Sequence, residues 1–238
     1  MNTNSNTYTI IYTTVLVVVV AAILAIVATA LKPRQTANIE LEQMKSIMLS
    51  ANIGETDGQP DKRADFKKLY EQHITGTYVI DAQGNKVEGV DAFGVDLKAQ
   101  YNAIKNGGEL TLPVYECKLD DGSMVTILPC YGAGLWGAIW GYISVESDGK
   151  TIHGAVFSHA SETPGLGGEI AEPWFYNQFD DNVLEDASQS FSSIRIVKGG
   201  SGEDPNGVDA ISGATITSRS LENTIAQWME YYKLILGE

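Results

Sequence analysis

The fold class is set by residues 141–157, which read GYISVESDGKTIHGAVF. Two runs rich in β-branched and aromatic side chains, 141–145 and 151–157, flank Ser147-Asp148-Gly149, a sequence typical of a hairpin turn. The same pattern occurs twice nearer the N-terminus, at 114–119 with 125–128 and at 77–80 with Val87. The sequence therefore predicts a sheet of antiparallel hairpins.

Helical patterns lie on both sides of these strands. Residues 36–51 and 63–73 carry apolar residues at helical spacing, and the first segment is predicted to be a stalk. Thr217 and Ser218, typical N-cap residues, precede a C-terminal helix. Its apolar face is predicted to contain Leu221, Ile225, Trp228, Met229, Tyr232 and Leu236. We expect an α+β domain rather than a Rossmann domain, because the sequence has no βαβ alternation and no Gly-x-Gly-x-x-Gly after a strand.

An apolar run occupies residues 10–31, where Tyr12 is the one ionisable side chain. With about 22 residues, it is long enough to cross a bilayer as a single helix. Ala28-Thr29-Ala30 resembles a signal-peptide cleavage site, which is the alternative. An uncleaved anchor is favoured because no Lys or Arg precedes the run and its apolar part is long for a signal core. The predicted parts are a tail (1–9), a transmembrane helix (10–31), a stalk with an N-terminal α/β part (32–108) and a C-terminal domain (109–238).

Charge excludes some classes of partner. The formal net charge of -14, with no run of Lys or Arg, argues against binding nucleic acid or an anionic lipid surface through a basic patch. Lys32 and Arg34 follow the apolar run, and the residues before it carry no charge. By the positive-inside rule, these two charges favour a cytoplasmic location for the C-terminal part.

Cysteine and histidine give no metal-site pattern. Cys117 and Cys130 are the two cysteines, too few for a four-cysteine metal site or an iron-sulfur cluster built within this chain. The turn at 120–122 would pair Cys117 with a residue near Thr126, so we expect two buried free thiols rather than a disulfide. The three histidines lack ligand spacing. We therefore predict neither a metal site nor a catalytic residue within this chain.

The segment Asp209-Ala210-Ile211-Ser212-Gly213-Ala214-Thr215 immediately precedes the C-terminal helix. Small residues at 213 and 214 leave room for a bulky group beside the backbone of Thr215. A helix start favours a phosphate, because its backbone N–H groups are unpaired and the helix dipole is positive there. The alternative is an ordinary Ser/Thr-rich turn that caps the helix.

A second glycine-rich segment, residues 159–170, follows the third hairpin and reads HASETPGLGGEI. Pro164 stiffens this loop, and glycines at 165, 167 and 168 allow its backbone to approach a flat ring closely. By composition alone it is equally well a linker. Glu162 is either a pocket carboxylate or a solvated loop charge.

Together these motifs resemble the FMN-binding domain family. Asp-x-x-Ser-Gly-Ala-Thr resembles the family's flavinylation motif, here Asp209 to Thr215. Glu-Thr-Pro-Gly-Leu-Gly at 162–167, followed some fifty residues later by Ser-Gly-Ala-Thr, is similar to C subunits of sodium-translocating NADH:quinone oxidoreductases. It is also similar to G subunits of Rnf ferredoxin:NAD oxidoreductases. The stretch Gly134-Leu135-Trp136-Gly137 favours the C subunits.

The resemblance implies FMN joined through its phosphate to Thr215, and makes residues 109–238 the FMN-binding domain. A flavin transferase, with FAD as donor and Mg²⁺, would form the bond, and Asp209 would help present the threonine. The cofactor-binding residues would be Asp209, Ser212, Gly213, Ala214, Thr215, Glu162, Thr163, Pro164, Gly165, Leu166 and Gly167.

The implied function is electron transfer within a sodium-translocating NADH:quinone oxidoreductase complex, with no complete activity in this chain alone. Its partners would be the other subunits. Residues 10–31 would anchor it in the bacterial cytoplasmic membrane with the flavin domain outside, against the charge rule. The alternatives are an Rnf G subunit and a cofactor-free membrane-anchored binding module. A hydrolase is disfavoured because no Ser-His-Asp order or Gly-x-Ser-x-Gly elbow is present.

Overall fold

The computed structural model describes residues 6–186, 190–202 and 204–237. Its helices are α1 (Asn6–Ser50), α2 (Phe66–His73), α3 (Leu97–Asn106), α4 (Pro173–Tyr176) and α5 (Thr215–Tyr232). Its strands are β1 (Glu55–Thr56), β2 (Gln59–Pro60), β3 (Ile74–Ile80), β4 (Lys86–Val87), β5 (Leu112–Lys118), β6 (Met124–Ala133), β7 (Ala138–Glu146), β8 (Ile152–His159), β9 (Arg195–Val197) and β10 (Gly207–Asp209).

Two compact units divide between Gln43 and Met44. The first consists of most of α1, whose apolar side chains between Ile10 and Leu31 are exposed. Among the described residues, α1 is the one helix long and apolar enough to cross a membrane. Residues 1–5 of the predicted tail lie outside the described residues, and α1 begins at Asn6.

The second unit is built on a six-stranded sheet with the order β4-β3-β5-β6-β7-β8. Every pair of neighbouring strands is antiparallel, so the three predicted hairpins and the α+β class are confirmed. Cys117 lies opposite Val125, and Cys130 opposite Gly141. Both thiols are free and buried, and burial raises the pKa of each to about 12.

Helix α5 packs against β6. The Trp228 Nε1–H donates to the Tyr131 carbonyl at 2.7 Å, and the Tyr232 hydroxyl donates to the Pro113 carbonyl at 3.0 Å. A Cβ at Gly132 would collide with Thr224, so a glycine here lets helix and sheet approach closely. The apolar face is as predicted except for Leu236, which lies in the turns after the helix ends at Tyr232.

Strands β9 and β10 form a separate parallel pair, which the sequence patterns did not predict. Each strand has three residues, too short for a clear alternation of apolar and polar side chains. In a parallel pair the carboxyl ends of both strands meet at one edge. The residues after Val197 therefore lie beside those after Asp209, and the Ala210 N–H donates to the Val197 carbonyl at 2.9 Å.

Candidate functional site

Thr215 is the first residue of α5, and its side chain is exposed. The N-cap is Ala214, which provides no side-chain acceptor. The prediction that Thr217 and Ser218 cap the helix is therefore wrong, since both are buried within its first turn. Both lie where the chain is already helical, so neither occupies the N-cap position. The first N–H groups of α5 have no intrahelical acceptor, which leaves this end suited to an anion.

Gly213 connects the two sequence motifs. Its φ of +77° is left-handed, and an added Cβ would lie 2.8 Å from Leu166 Cδ2. A larger residue would therefore be strained and would also push on the glycine-rich loop. Ser212 and Thr215 are exposed, and Ala214 between them is buried. The turn therefore exposes two hydroxyl groups, those of Ser212 and Thr215.

Glu162 is buried and fully engaged by the protein, so it is not a solvated loop charge. Its Oε1 accepts from the Trp136 N–H and its Oε2 from the Thr217 hydroxyl, both at 2.8 Å. A Cβ at Gly167 would collide with this carboxylate and with Thr217. We call Glu162, Trp136 and Thr217 the Glu162 junction. It ties the β6–β7 turn, the glycine-rich loop and the first turn of α5 together.

The remaining loop residues are exposed: Thr163, Pro164, Gly165 and Leu166. The Thr163 carbonyl accepts the N–H groups of Leu166 at 3.1 Å and Gly168 at 3.0 Å, which closes the loop on itself. Large apolar side chains are exposed on each of the segments that meet at the Glu162 junction, among them Trp136 at 67%, Leu166 at 42% and Ile216 at 57%. We call these three the apolar rim.

A cleft of about 660 Å³ opens at the start of α5. Four of the predicted site residues, Asp209, Ser212, Gly213 and Thr215, line this cleft. Its full lining is Ile196, Lys198, Gly199, Gly200, Asp209, Ala210, Ile211, Ser212, Gly213, Thr215, Ser218, Arg219 and Glu222. Glu162 to Gly167 do not line it. The predicted site residues therefore fall into two groups, those that line the cleft and those in the glycine-rich loop. The two groups approach each other at Gly213, where an added Cβ would lie 2.8 Å from Leu166 Cδ2.

Asp209 is exposed at the end of β10. Its Oδ1 accepts from the Ser201 N–H at 2.5 Å and from the Ser201 hydroxyl at 2.8 Å. These two hydrogen bonds hold the pKa of this carboxyl below its usual range. Asp209 therefore stabilises the loop after β9, and within the described residues it forms no hydrogen bond with Thr215.

Four polar or charged residues of the cleft were missed: Lys198, Ser218, Arg219 and Glu222. The last three follow Thr215 by three, four and seven positions, so a helix starting at Thr215 would have placed them on one face. Lys198 gave no such signal, because it reaches the cleft through the parallel pairing of β9 with β10.

The cleft fits the phosphate of a nucleotide. Ser218 is 2% exposed, and its hydroxyl has no hydrogen-bond partner in the described part of the chain. Two cationic side chains, Lys198 and Arg219, line the same cleft, which begins at the uncapped start of α5. Phosphate oxygens can accept from all of these donors. For a metal ion the result differs: the described residues include no group of three or more His, Cys, Asp or Glu arranged to hold one.

Comparison with known proteins gives the family. A family model described as "FMN-binding domain" matches residues 134–230. The chain is 33% identical, over 87% of its length and 83% of the relative's, to the C subunit of the Na(+)-translocating NADH-quinone reductase from Neisseria meningitidis. It is 32% identical to the C subunit of the same reductase from Pseudomonas aeruginosa, over 96% and 93% of the two chains.

Two solved structures share the fold. One is the C subunit of the Na(+)-translocating NADH-quinone reductase from Parabacteroides distasonis, with a TM-score of 0.74, 35% identity, and coverage of 87% of this chain and 98% of that one. The other is Shewanella oneidensis NqrC, with a TM-score of 0.69, 26% identity, and coverage of 84% and 97%. By its sequence and its fold, this chain belongs to the family of C subunits of the Na(+)-translocating NADH-quinone reductase.

Proposed function

We propose that this chain carries electrons within a Na(+)-translocating NADH-quinone reductase through FMN bound covalently, by a phosphoester, to Thr215. The observation that carries the proposal is the position of Thr215. Its exposed hydroxyl stands at the uncapped start of an eighteen-residue helix and at the edge of a cleft with two cations. A nucleophile here meets an incoming phosphate where N–H groups and positive charge stabilise it.

The attachment would consume FAD in an external flavin transferase. A bond forms between Thr215 Oγ and the phosphorus of the FMN half. The phosphoanhydride bond breaks, AMP leaves with the bridging oxygen, and the threonine proton passes to a base of the transferase. Among the described residues, none forms a hydrogen bond with the Thr215 hydroxyl that would mark it as a candidate base. We therefore assign deprotonation and Mg²⁺ to the transferase.

FMN bound in this way supplies one-electron transfer, with its ring chemically unmodified. The chain's own residues orient it. Gly213 and Ala214 keep the attachment point free of bulk, and the exposed loop from Thr163 to Leu166 offers backbone edges and an apolar side chain to the ring. Glu162 acts as a positioning residue, because both of its oxygens are occupied by the protein.

The test replaces Thr215 with valine, which keeps the shape and removes the hydroxyl. Coexpressed with the transferase, wild-type protein is expected to gain the mass of one FMN less one water and to fluoresce in a denaturing gel, and the Thr215→Val variant to do neither. Thr215→Ser, the matched control, retains a hydroxyl and should be labelled. A fluorescent Thr215→Val band would place the attachment elsewhere, and an unlabelled wild type would refute covalent FMN.

We further propose that residues 10–31 anchor the chain and that the flavin domain lies outside the cytoplasmic membrane. The exposed apolar surface of α1 supports the anchor. Family resemblance supports the sidedness. A protease added to right-side-out vesicles should remove residues after the anchor, while inverted vesicles should protect them. The reverse pattern would restore the cytoplasmic location that Lys32 and Arg34 favour.

A further inference from the structure

The hydroxyl of Ser218 is buried and has no hydrogen-bond partner among the described residues. Its residue is 2% exposed, and no described group accepts from or donates to its Oγ. A buried hydroxyl without a partner is unfavourable, so such groups are uncommon in folded proteins. Ser218 lines the cleft beside Thr215, one helical turn further along α5. A ligand atom in the cleft would satisfy it.

Two cationic side chains line the same cleft as this hydroxyl. Lys198 and Arg219 are exposed and line the cleft, and neither forms an ion pair in the described part of the chain. By contrast, Arg195, at the start of the strand that leads to Lys198, is paired with Asp204 at 2.9 Å. In a chain with a formal net charge of -14, two unpaired cations at one cleft favour an anionic ligand.

Two carboxylates, those of Asp209 and Glu222, also line the cleft. Asp209 Oδ1 is occupied by Ser201. Along the axis of α5, Ser218 and Arg219 lie about 4.5 and 6 Å beyond Thr215, and Glu222 about 10.5 Å beyond it. The donors are thus nearer the threonine than Glu222 is.

We propose that Lys198, Ser218 and Arg219 form a phosphate clamp for the flavin phosphodiester, an inference that rests on the proposed attachment at Thr215. Ser218 donates its hydroxyl to one non-bridging phosphate oxygen, and the guanidinium and ammonium groups bind the others with charge-assisted hydrogen bonds. The clamp holds the phosphate on the cleft side of Thr215. The exposed apolar side chains of Leu166 and Ile216 would suit the flat faces of the ring better than the charged cleft would. The same charges favour approach of the phosphate during transfer.

The first experiment measures how fast limiting transferase loads full-length protein with flavin, by intact mass. We expect the double variant Lys198→Gln with Arg219→Gln to load about tenfold or more slowly than wild type. Arg219→Lys should retain most of the rate. Lys67→Gln, an exposed lysine on α2, is the matched charge control and should load normally.

Ser218→Ala separates binding from folding. Removing a buried hydroxyl that has no partner should leave the melting temperature of the flavin-free protein unchanged or raised. If the clamp exists, this variant nevertheless loads more slowly. Slower loading with a lowered melting temperature would assign Ser218 to folding and overturn its place in the clamp.

The second experiment measures fluorescence anisotropy of the attached flavin after loading to completion. We expect lower anisotropy in the double variant, because its phosphate is no longer held, and a smaller effect of added salt than in wild type. Wild type that carries no flavin would refute the attachment itself. Loaded variants with wild-type rate and anisotropy would refute only the clamp.

Discussion

The polar groups on the two sides of the segment from Ser212 to Thr217 differ in whether the protein satisfies their hydrogen bonds. On one side, the Glu162 junction is buried, and every oxygen of its carboxylate accepts a hydrogen bond from the protein. On the other, the cleft is open, with a hydroxyl and two cations that have no partners in the described ranges. Satisfied polar groups stabilise a fold, and unsatisfied ones are available to a ligand. The junction therefore positions Thr215, and the cleft is where binding is expected.

Loss of the Glu162 carboxylate should have the largest effect on stability. Glu162→Ala leaves the Trp136 N–H and the Thr217 hydroxyl without acceptors, so the free energy of unfolding is expected to fall by about 1–3 kcal/mol. Urea denaturation of the flavin-free protein measures this. Glu162→Gln is the control, because it keeps one acceptor oxygen and should lose less.

A Glu162→Ala variant as stable as wild type would show that the Glu162 junction does not stabilise the fold. Equally damaging would be a stable variant that cannot be loaded with flavin, since Glu162 would then contact the cofactor rather than support the loop.

Asp180 is expected to lower the stability of the folded protein at neutral pH, whereas Glu162 is expected to raise it. Asp180 is half-buried, its side chain has no hydrogen bond among the described residues, and burial, with Glu55 and Asp181 nearby, raises its pKa from 3.8 to about 6. Between pH 3.8 and about 6, the folded protein keeps this carboxyl protonated while the unfolded chain has released the proton. The contribution of Asp180 to the free energy of unfolding is therefore fully present below pH 3.8 and is lost as the pH rises through about 6. Asp180→Asn should raise the melting temperature by about 2–4 °C at neutral pH, for a gain of up to about 1 kcal/mol after solvent screening.

Melting curves of this variant and wild type across the pH range test the sign. The difference should vanish in acid, below the unfolded pKa. A stabilisation that is the same at every pH would mean that the ionisation of Asp180 is not responsible. Asp181→Asn is the neighbouring control, with a smaller expected change because Asp181 contributes less to the raised pKa than burial does.

Of these substitutions, replacement of Asp209 should change stability least, and it should affect flavin loading more than stability. Its carboxylate is exposed and stabilises the loop after β9 through Ser201. Asp209→Ala is expected to slow flavin transfer, because the loop that carries Lys198 loses its restraint. The melting temperature should change little. Intact mass after timed exposure to transferase measures this. Normal loading would remove Asp209 from the site.

Three hairpins of the large sheet could be predicted from the sequence because each is local, whereas the pairings of β3 with β5 and of β6 with β7 were not predicted. Residues 141–157 contain both strands and the turn that joins them, and their register follows from that turn. Thr215 and the loop from Glu162 to Gly167 were likewise found as motifs. The partners of Glu162 were not, because Trp136 and Thr217 are 26 and 55 positions away from it.

Residues adjacent in the chain were enough to predict the apolar N-terminal helix, the antiparallel hairpins, the C-terminal helix and the Ser-Gly-Ala-Thr motif before it, because each of these features is local. The tertiary structure was needed to show that Lys198 and Arg219 line the same cleft, that the buried Ser218 hydroxyl has no hydrogen-bond partner among the described residues, and that Glu162 lies in a buried junction outside the cleft. These depend on a parallel pairing of two three-residue strands and on a buried carboxylate that bridges distant segments. Neither leaves a periodic pattern in the sequence, since contacts between distant segments are set by packing rather than by local conformation.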